Sequence, residues 1–189
     1  ITIKEPCVTV SYVEAGEEWL HIDLPVYAKC DSTVYLARGR ENSTEGNYTW
    51  EKADPKGLNS WLLDRINGNQ QLRRVIRYIK KWKQEKYRNS VLDHEIPPSI
   101  GLTLLAIDCF SSCSNSDGDD DLTSLQKTFQ NIVNKFSLIY DERNTLTKAD
   151  VSRSLPVTPF TDVFKTMKDS SDSYGVKFYN RLSVALQHF

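Results

Sequence analysis

Long hydrophobic runs and a strong excess of one charge are both missing from this sequence. The longest apolar stretch lies near Ile100–Phe110, which is too short to span a bilayer. The chain has 24 basic and 25 acidic residues, so its formal charge is −1. This balance does not favour nucleic-acid binding by the chain as a whole, but it does not exclude a local basic surface. No signal peptide is visible, because the opening ITIKEPCVTV already alternates like a strand. We expect a cytoplasmic protein without membrane spans.

Cysteine and histidine are also scarce. The four cysteines are Cys7, Cys30, Cys109 and Cys113. Their scatter over 189 residues is not a disulfide framework and favours a reducing compartment. Cys109 and Cys113 lie one helical turn apart, but zinc needs four nitrogen or sulfur ligands and only the distant His94 is at hand. The histidines form no arrangement with serine, cysteine or aspartate that is typical of nucleophilic catalysis.

The pattern changes from strand-like to helical near residue 55. Val8, Val10 and Tyr12 alternate with Thr9, Ser11 and Val13, and EAGEE predicts a turn, so residues 6–28 should form an antiparallel pair. A short strand and a long polar connection follow. The length suits one domain or a piece of a two-part enzyme. We predict partial sheet strands over 1–54 and a helical domain over 55–189, which is an α+β organisation.

Five later segments have helical spacing. They are DPKGLNSWLLDRI, NQQLRRVIRYIKKWKQEKY, EIPPSIGLTLLAIDCF, LTSLQKTFQNIVNKFSLIY and the C-terminal segment with Phe178, Leu182, Ala185, Leu186 and Phe189. The second is the clearest, with an apolar stripe at Leu72, Val75, Ile76, Ile79 and Trp82. The third is apolar nearly all round and should be a central, buried helix.

Asp23 stands inside the apolar stretch WLHIDLPVYA, where aspartate is unusual. Strand side chains alternate faces, so the aliphatic stripe of Leu20, Ile22, Leu24 and Val26 can lie on the core while Asp23 and His21 face the other way. Pro25 cannot donate to a ladder, so the strand should end, bulge or lie at an edge there. Taken alone, Asp23 is better interpreted as a structural acid than as a metal ligand.

Two features of the helical part could bind phosphate. Arg73, Arg77, Lys80, Lys81 and Gln84 share one flank of their helix, which is either a solvated face or a cationic wall. Ser99 follows Pro97-Pro98 where the buried helix begins, and it is either a plain N-cap or part of an anion site at a helix start. A strand aspartate, a helical lysine and such a serine together suit a nucleotide triphosphate with Mg²⁺.

Four segments in order resemble the cGAS/DncV-like nucleotidyltransferases of bacterial anti-phage signalling. LHIDLPVYA resembles the segment with the third metal-binding acid, and YTWEKADPKGLNSWL resembles the Trp…Asp-Pro-Lys…Trp start of the helical region. LRRVIRYIKKWKQ and IPPSIGLTLLA resemble the Lys-x-Trp helix and the Pro-Ser helix start. The resemblance covers residues 6 to about 110 well and the remainder loosely. It implies the end of a polymerase β-like nucleotidyltransferase sheet followed by a helical bundle.

The resemblance assigns roles to individual residues. Asp23 would coordinate Mg²⁺ or Mn²⁺, while Lys80 and Ser99 would hold the triphosphate. Asp54 lies where the family contacts a nucleobase. Ala53 stands where relatives tend to carry a polar residue, which leaves the base preference open. His21 would be a positioning residue at most.

The first two metal acids of the family are absent from this chain. No Gly-Ser turn with an Asp-x-Asp or Glu-x-Asp strand precedes Asp23, and we interpret the late SDGDDD as solvated acids. Two-metal phosphoryl transfer needs several carboxylates, so the chain should be inactive alone, and we expect a fragment of a longer enzyme. The implied activity joins NTPs, ATP alone or with a second NTP, into a cyclic oligonucleotide second messenger with release of pyrophosphate. Implied partners are the N-terminal half and a HORMA-like or ubiquitin-transfer-like accessory protein.

Two alternatives remain open from the residues. The chain could be a non-catalytic helical module that docks a protein or a nucleic acid through Arg73, Arg77, Lys80 and Lys81. It could also be a different nucleotidyltransferase with the same core, such as a poly(A)-polymerase-like or RNA-sensing enzyme. Its near-neutral charge argues mildly against long RNA as a substrate.

Overall fold

The computed structural model describes residues 7–39, 42, 44, 46–90, 92, 95–168 and 173–189 in full, and the backbone of 2–4. Pro6, His94 and part of the predicted polar connection at 40–45 lie outside the described residues. The chain divides into two compact units. The first unit comprises Ile1–Asn59 and Pro156–Phe160, and the second comprises Ser60–Leu155 and Thr161–Phe189.

The first unit contains a small antiparallel sheet built on the predicted strand pair. Its strands are β1 (Thr2–Lys4), β2 (Cys7–Glu14) and β3 (Glu17–Pro25), in the order β1-β2-β3. The predicted turn is confirmed, and its Ala15 and Gly16 both have positive φ, 53° and 87°. Strand β3 ends at Pro25, as expected for a residue that cannot donate a ladder hydrogen bond.

The aliphatic side chains of β3 are exposed, which contradicts the expectation that they lie on the core. The alternation is as predicted, since Val10 pairs with Ile22 and Thr9 pairs with Asp23. However, Leu20, Ile22 and Leu24 are 42%, 42% and 50% exposed. Alternation determines which residues share a face, but it carries no information on what covers that face.

A second antiparallel sheet completes the strands of the first unit. Its members are β4 (Tyr27–Cys30), β5 (Thr33–Arg38) and β6 (Thr49–Ala53), in sequence order. Arg38 and Glu51 pair across β5 and β6, with 2.7 Å between Arg38 Nε and Glu51 Oε2. After β6, helix α1 (Pro55–Ile66) begins at the predicted proline.

The second unit is built on helices that bury one continuous apolar core. They are α2 (Gln70–Lys86), α3 (Ser99–Cys109), α4 (Asp121–Val133), the short α5 (Lys165–Lys168) and α6 (Tyr174–Leu186). The predicted stripe of α2 is confirmed, and α3 is central and buried as expected. Phe129, Phe164 and Phe178 are among its largest fully buried side chains. In the part of the chain that is described, no helix is long and apolar enough to cross a membrane.

The predicted helix over 122–140 is wrong at its C-terminal end. Helix α4 stops at Val133, and the following residues form β9 (Ser137–Tyr140), which pairs with β10 (Leu146–Asp150). A second small hairpin, β7 (Ser114–Asn115) with β8 (Gly118–Asp119), precedes α4. The second unit is therefore a mixed α+β body rather than a pure bundle. The strand at 137–140 depends on hairpin pairing with residues 146–150, which helical periodicity does not report.

Candidate functional site

Asp23 is held by a buried hydroxyl on the neighbouring strand. Thr9 Oγ1 donates a 2.6 Å hydrogen bond to Asp23 Oδ1, and the two residues are direct partners across β2 and β3. Thr9 is only 1% exposed. A charge-assisted bond from a buried donor fixes the carboxylate more firmly than water would. The hydrogen bond therefore fixes the orientation of the Asp23 carboxylate, although the residues of β3 are exposed.

The described residues do not make a complete metal site around Asp23. No group of three or more histidine, cysteine, aspartate or glutamate side chains in the described ranges could hold a metal ion. Mg²⁺ needs near-octahedral oxygen coordination, usually with more than one protein carboxylate. Asp23 could contribute one ligand, so the remaining carboxylates would have to come from elsewhere.

His21 shares a strand face with Asp23, and its ring contacts a glutamate. His21 Nδ1 lies 3.0 Å from Glu18 Oε1, and both side chains are about half exposed. This contact explains the local placement of the imidazole. It adds no support for a role in positioning substrate.

Asp54 caps helix α1, as its position before Pro55 predicts. The backbone N–H of Gly57 donates to Asp54 Oδ1 at 2.8 Å. A Cβ at position 57 would lie 2.0 Å from Asp54 Oδ2, so any other residue there would require the Asp54 carboxylate to move from this position. One carboxylate oxygen is thereby committed to the helix, and any nucleobase contact would have to be made from this fixed position.

Ser99 meets a lysine of α2, but that lysine is Lys83. Lys83 Nζ donates a 2.6 Å hydrogen bond to Ser99 Oγ, while the resemblance pointed to Lys80. Ser99 is the first residue of α3, so the interpretation of Ser99 as N-cap is wrong. The cap position is Pro98, which supplies no side-chain hydrogen bond. The sequence feature that could have identified Lys83 is its spacing from Ile76 and Ile79, which places it at the edge of the buried stripe.

The Lys83 ammonium contacts this helix start, and the charge of Lys80 acts on it. The pKa of Lys83 is lowered from its usual range, mainly because the side chain is partly buried and also because the Lys80 ammonium is near. Neither lysine forms an ion pair with a carboxylate among the residues that the structure describes. The first amides of a helix also lack intrahelical partners. This combination leaves local positive potential that an anion would relieve.

Asp117 and Asp119 of the acidic loop are exposed, as their interpretation as solvated acids predicts, but several of the loop's carboxylates also have protein partners. Arg74 Nε donates to Asp121 Oδ2 at 2.6 Å, and Arg74 Nη2 donates to Asp119 Oδ2 at 2.7 Å. Asp120 caps α4 by accepting from the Thr123 N–H at 3.0 Å. These contacts fasten the loop and leave its carboxylates with structural roles.

Cys109 and Cys113 have separate surroundings. Cys109 is buried in the core, and burial raises the pKa of its thiol to about 11. Cys113 is half-buried, and its backbone groups bond to the side chain of Gln71. A buried thiol of high pKa is a poor nucleophile and a poor metal ligand.

No protein-family model, curated protein or solved structure gives a significant match to this chain. The case for a function therefore depends on the placement of these residues and on the ordered motifs of the sequence.

Proposed function

We propose that the chain is part of a bacterial nucleotidyltransferase that makes a cyclic oligonucleotide second messenger in anti-phage signalling. The observation that carries the proposal is the Lys83–Ser99 hydrogen bond at the start of α3, with the Lys80 ammonium close by. In this enzyme class a triphosphate must be held while its leaving group gains charge. A helix start with two cations is suited to that task.

Lys83 and Ser99 would act on the triphosphate together. An ammonium has three donors, and one of them already points at Ser99 Oγ, which leaves others to meet phosphate oxygens. The bond between the two side chains also restricts the rotamers of Lys83 before the nucleotide arrives, which lowers the entropy lost on binding. Lys80, which lies on the preceding turn of α2, contributes positive potential. The assignment of Lys80 to the triphosphate is thus extended to Lys83.

In the proposed reaction the 3′- or 2′-hydroxyl of one nucleotide attacks the α-phosphate of ATP or of a second NTP, and pyrophosphate leaves. A second transfer with ring closure gives the cyclic product. Positioning and charge neutralisation dominate such transfers. Within this chain they fall to Lys83, Lys80 and Ser99, and the resemblance assigns Asp54 to the contact with a nucleobase.

Asp23 is proposed to be one of the acids that hold Mg²⁺ or Mn²⁺. Its bond from Thr9 fixes the orientation of the carboxylate. The described residues contain no group of three or more histidine, cysteine, aspartate or glutamate side chains that could hold a metal ion, so we assign the other acids to the N-terminal half of the enzyme. The chain alone should therefore bind nucleotide but transfer none.

The exposed aliphatic face of β2 and β3 is where that N-terminal half would pack. Leu20, Ile22 and Leu24 are 42–50% exposed, and β3 is an edge strand of its sheet in the described part of the chain. Long edges with apolar side chains are normally covered or paired. The proposal also includes a cytoplasmic location and a HORMA-like or ubiquitin-transfer-like accessory protein, as the resemblance implies.

The test combines the chain with the polypeptide encoded immediately upstream of it. The mixture is incubated with ATP, GTP, CTP, UTP and Mg²⁺, and the products are identified by mass spectrometry. We expect a cyclic oligonucleotide that disappears with Asp23→Asn and persists with Asp31→Asn, an exposed acid of the same unit. The proposal is contradicted if the upstream polypeptide carries no Gly-Ser turn with paired acids, or if Asp23→Asn leaves product formation unchanged.

A further inference from the structure

A cavity of about 350 Å³ lies between the β9–β10 hairpin and the helices α5 and α6. Ile139 and Lys148, which pair directly across the hairpin, line one side of it, and the first turn of α6 lines another. The hairpin and α6 are packed closely there, because a Cβ on Gly175 would lie 2.0 Å from the Ala149 carbonyl oxygen. The volume is at the lower end of the range for small-molecule sites.

Apolar side chains form much of the lining of this cavity. Ile139 comes from β9, Met167 from α5 and Val176 from α6. Met167 is buried, whereas Ile139 is 55% exposed, so the apolar lining continues from the core to the surface. An apolar ligand that covered these side chains would remove them from water, which favours binding.

The charged lining residues offer hydrogen-bond donors. Lys148 Nζ pairs with Asp150 Oδ2 at 2.9 Å, while Lys168 Nζ donates to Ser152 Oγ at 2.9 Å and to Asp162. An ammonium has three donors. Among the described residues, two donors of Lys148 and one of Lys168 therefore remain without a protein acceptor. A ligand in this cavity should supply acceptors rather than donors.

We infer that this cavity binds a small carboxylic acid with a short apolar chain. The carboxylate oxygens accept hydrogen bonds from the remaining donors of Lys148 and Lys168, and such charge-assisted bonds are stronger than bonds to a neutral acceptor. The chain lies against Ile139, Met167 and Val176. Each lysine already has one carboxylate partner, so a group with a single negative charge suits the site better than a phosphate with a charge near −2.

The site is separate from the proposed triphosphate site. The cavity shares no lining residue with the Lys83–Ser99 pair, and both belong to the second unit. This inference therefore does not depend on the proposed enzyme activity, and either claim can fail without the other.

A water-filled cleft between structural ion pairs is the competing explanation. The pairs Lys148–Asp150 and Lys168–Asp162 would then serve only to hold the hairpin and α5 in place. The two explanations differ in their predictions for ligands of equal length and different charge. A water-filled cleft has no preference among such ligands, whereas the proposed site prefers the anion.

The test follows the amide proton–nitrogen correlation spectrum of the full chain during titration with hexanoate, 1-hexanol and hexylammonium. These probes have equal chains and different head groups. We expect saturable shifts of the Lys148, Gly175 and Val176 amides with hexanoate at millimolar concentrations, and binding of 1-hexanol that is at least about tenfold weaker. Hexylammonium should not bind there. Each signal belongs to one residue, so binding on the exposed face of β3 would be recognised as a different event.

Two variants separate the two parts of the site. Lys148→Gln should weaken hexanoate binding about fivefold or more and leave 1-hexanol unchanged, because only the anion uses the ammonium. Ile139→Trp places a larger side chain over the cavity from an exposed strand position and should weaken both probes. The controls Lys127→Gln and Leu122→Trp make corresponding changes at exposed positions of α4 and should bind like the unmodified chain. The dispersion of the same spectra shows whether each variant is folded.

Four results would overturn the inference. Hexanoate that causes no saturable shifts at the cavity would leave it a water-filled cleft. Equal affinities for hexanoate and 1-hexanol, or a Lys148→Gln variant that binds hexanoate like the unmodified chain, would remove the role of the ammonium donors. Acetate that binds as tightly as hexanoate would show that the apolar lining contributes nothing. Displacement of hexanoate by ATP would assign the cavity to a nucleotide instead.

Discussion

Thr9 and Asp23 are joined across two strands by a 2.6 Å hydrogen bond whose donor is almost fully buried. Replacement of Thr9 by valine keeps the shape and removes the donor. We expect a loss of about 1.5–3 kcal/mol in the free energy of unfolding, because the acceptor is charged. Urea denaturation followed by circular dichroism measures the change. The control is Thr49→Val, at an exposed strand position, which should change stability by less than about 0.5 kcal/mol. Similar values for the two variants would refute this role of Thr9.

The cap formed by Asp54, in its present geometry, leaves no room for a Cβ at position 57. Alanine normally stabilises a helix by up to about 1 kcal/mol relative to glycine, so a free position would gain stability from Gly57→Ala. Here the new Cβ would meet Asp54 Oδ2 at 2.0 Å, and we expect a loss of about 1 kcal/mol instead.

A double-mutant cycle with Asp54→Ala tests the assignment further. Once the carboxylate is gone, Gly57→Ala should become neutral or stabilising, since the contact that opposed it has been removed. The neighbouring exposed substitution Lys56→Ala should be additive with Asp54→Ala. Simple additivity of the Gly57 and Asp54 changes would show that the cap is not coupled to the glycine.

Tyr87 should make the fold sensitive to alkali. Burial raises the pKa of its phenol from 10.0 to about 12, while the Arg181 guanidinium, 4.0 Å from the ring centroid, opposes the rise. A pKa that is higher in the folded state favours folding below the unfolded value, and that contribution is lost as pH rises from 10 to 12. We expect a loss of about 2 kcal/mol over this interval. Tyr87→Phe should remove this part of the pH dependence, as measured by urea denaturation at each pH.

ATP binding should also depend on pH through Lys83. Partial burial, assisted by the Lys80 ammonium, lowers the Lys83 pKa, so this side chain loses its charge at a lower pH than an ordinary lysine. ATP affinity should therefore fall before the usual lysine range is reached. Lys83→Arg keeps its charge at all these pH values and should keep its affinity. A parallel decline in the two proteins would assign the pH effect to another group.

Much of the fold was predictable, because the spacing of the apolar residues and the positions of the prolines that begin helices agreed with each other. The stripe at Leu72, Val75, Ile76 and Ile79 predicted α2, and the double proline predicted the start of α3. The strand at 137–140 was missed because its apolar residues continue the phase of α4, and its conformation is decided by hairpin pairing with residues 146–150.

The candidate site was only partly predictable. Ser99 and Asp54 were found from their positions at helix starts, which are local features of the sequence. Lys83 was not predicted, because the Lys-x-Trp motif assigns the role to Lys80. The contact of Lys83 with Ser99 depends on how α2 packs against α3. The same limit applies to Arg74, whose two acidic partners lie more than 40 positions away.

The most direct test of the account is a calorimetric titration of the chain with ATP in EDTA, which removes any contribution from metal. The unmodified chain should bind ATP, Lys83→Gln should bind at least about tenfold more weakly, and Lys127→Gln, an exposed lysine of α4, should be unchanged. An unmodified chain that fails to bind ATP, or a Lys83→Gln protein that binds it as tightly as the unmodified chain, would contradict the claim that the Lys83–Ser99 pair holds the triphosphate.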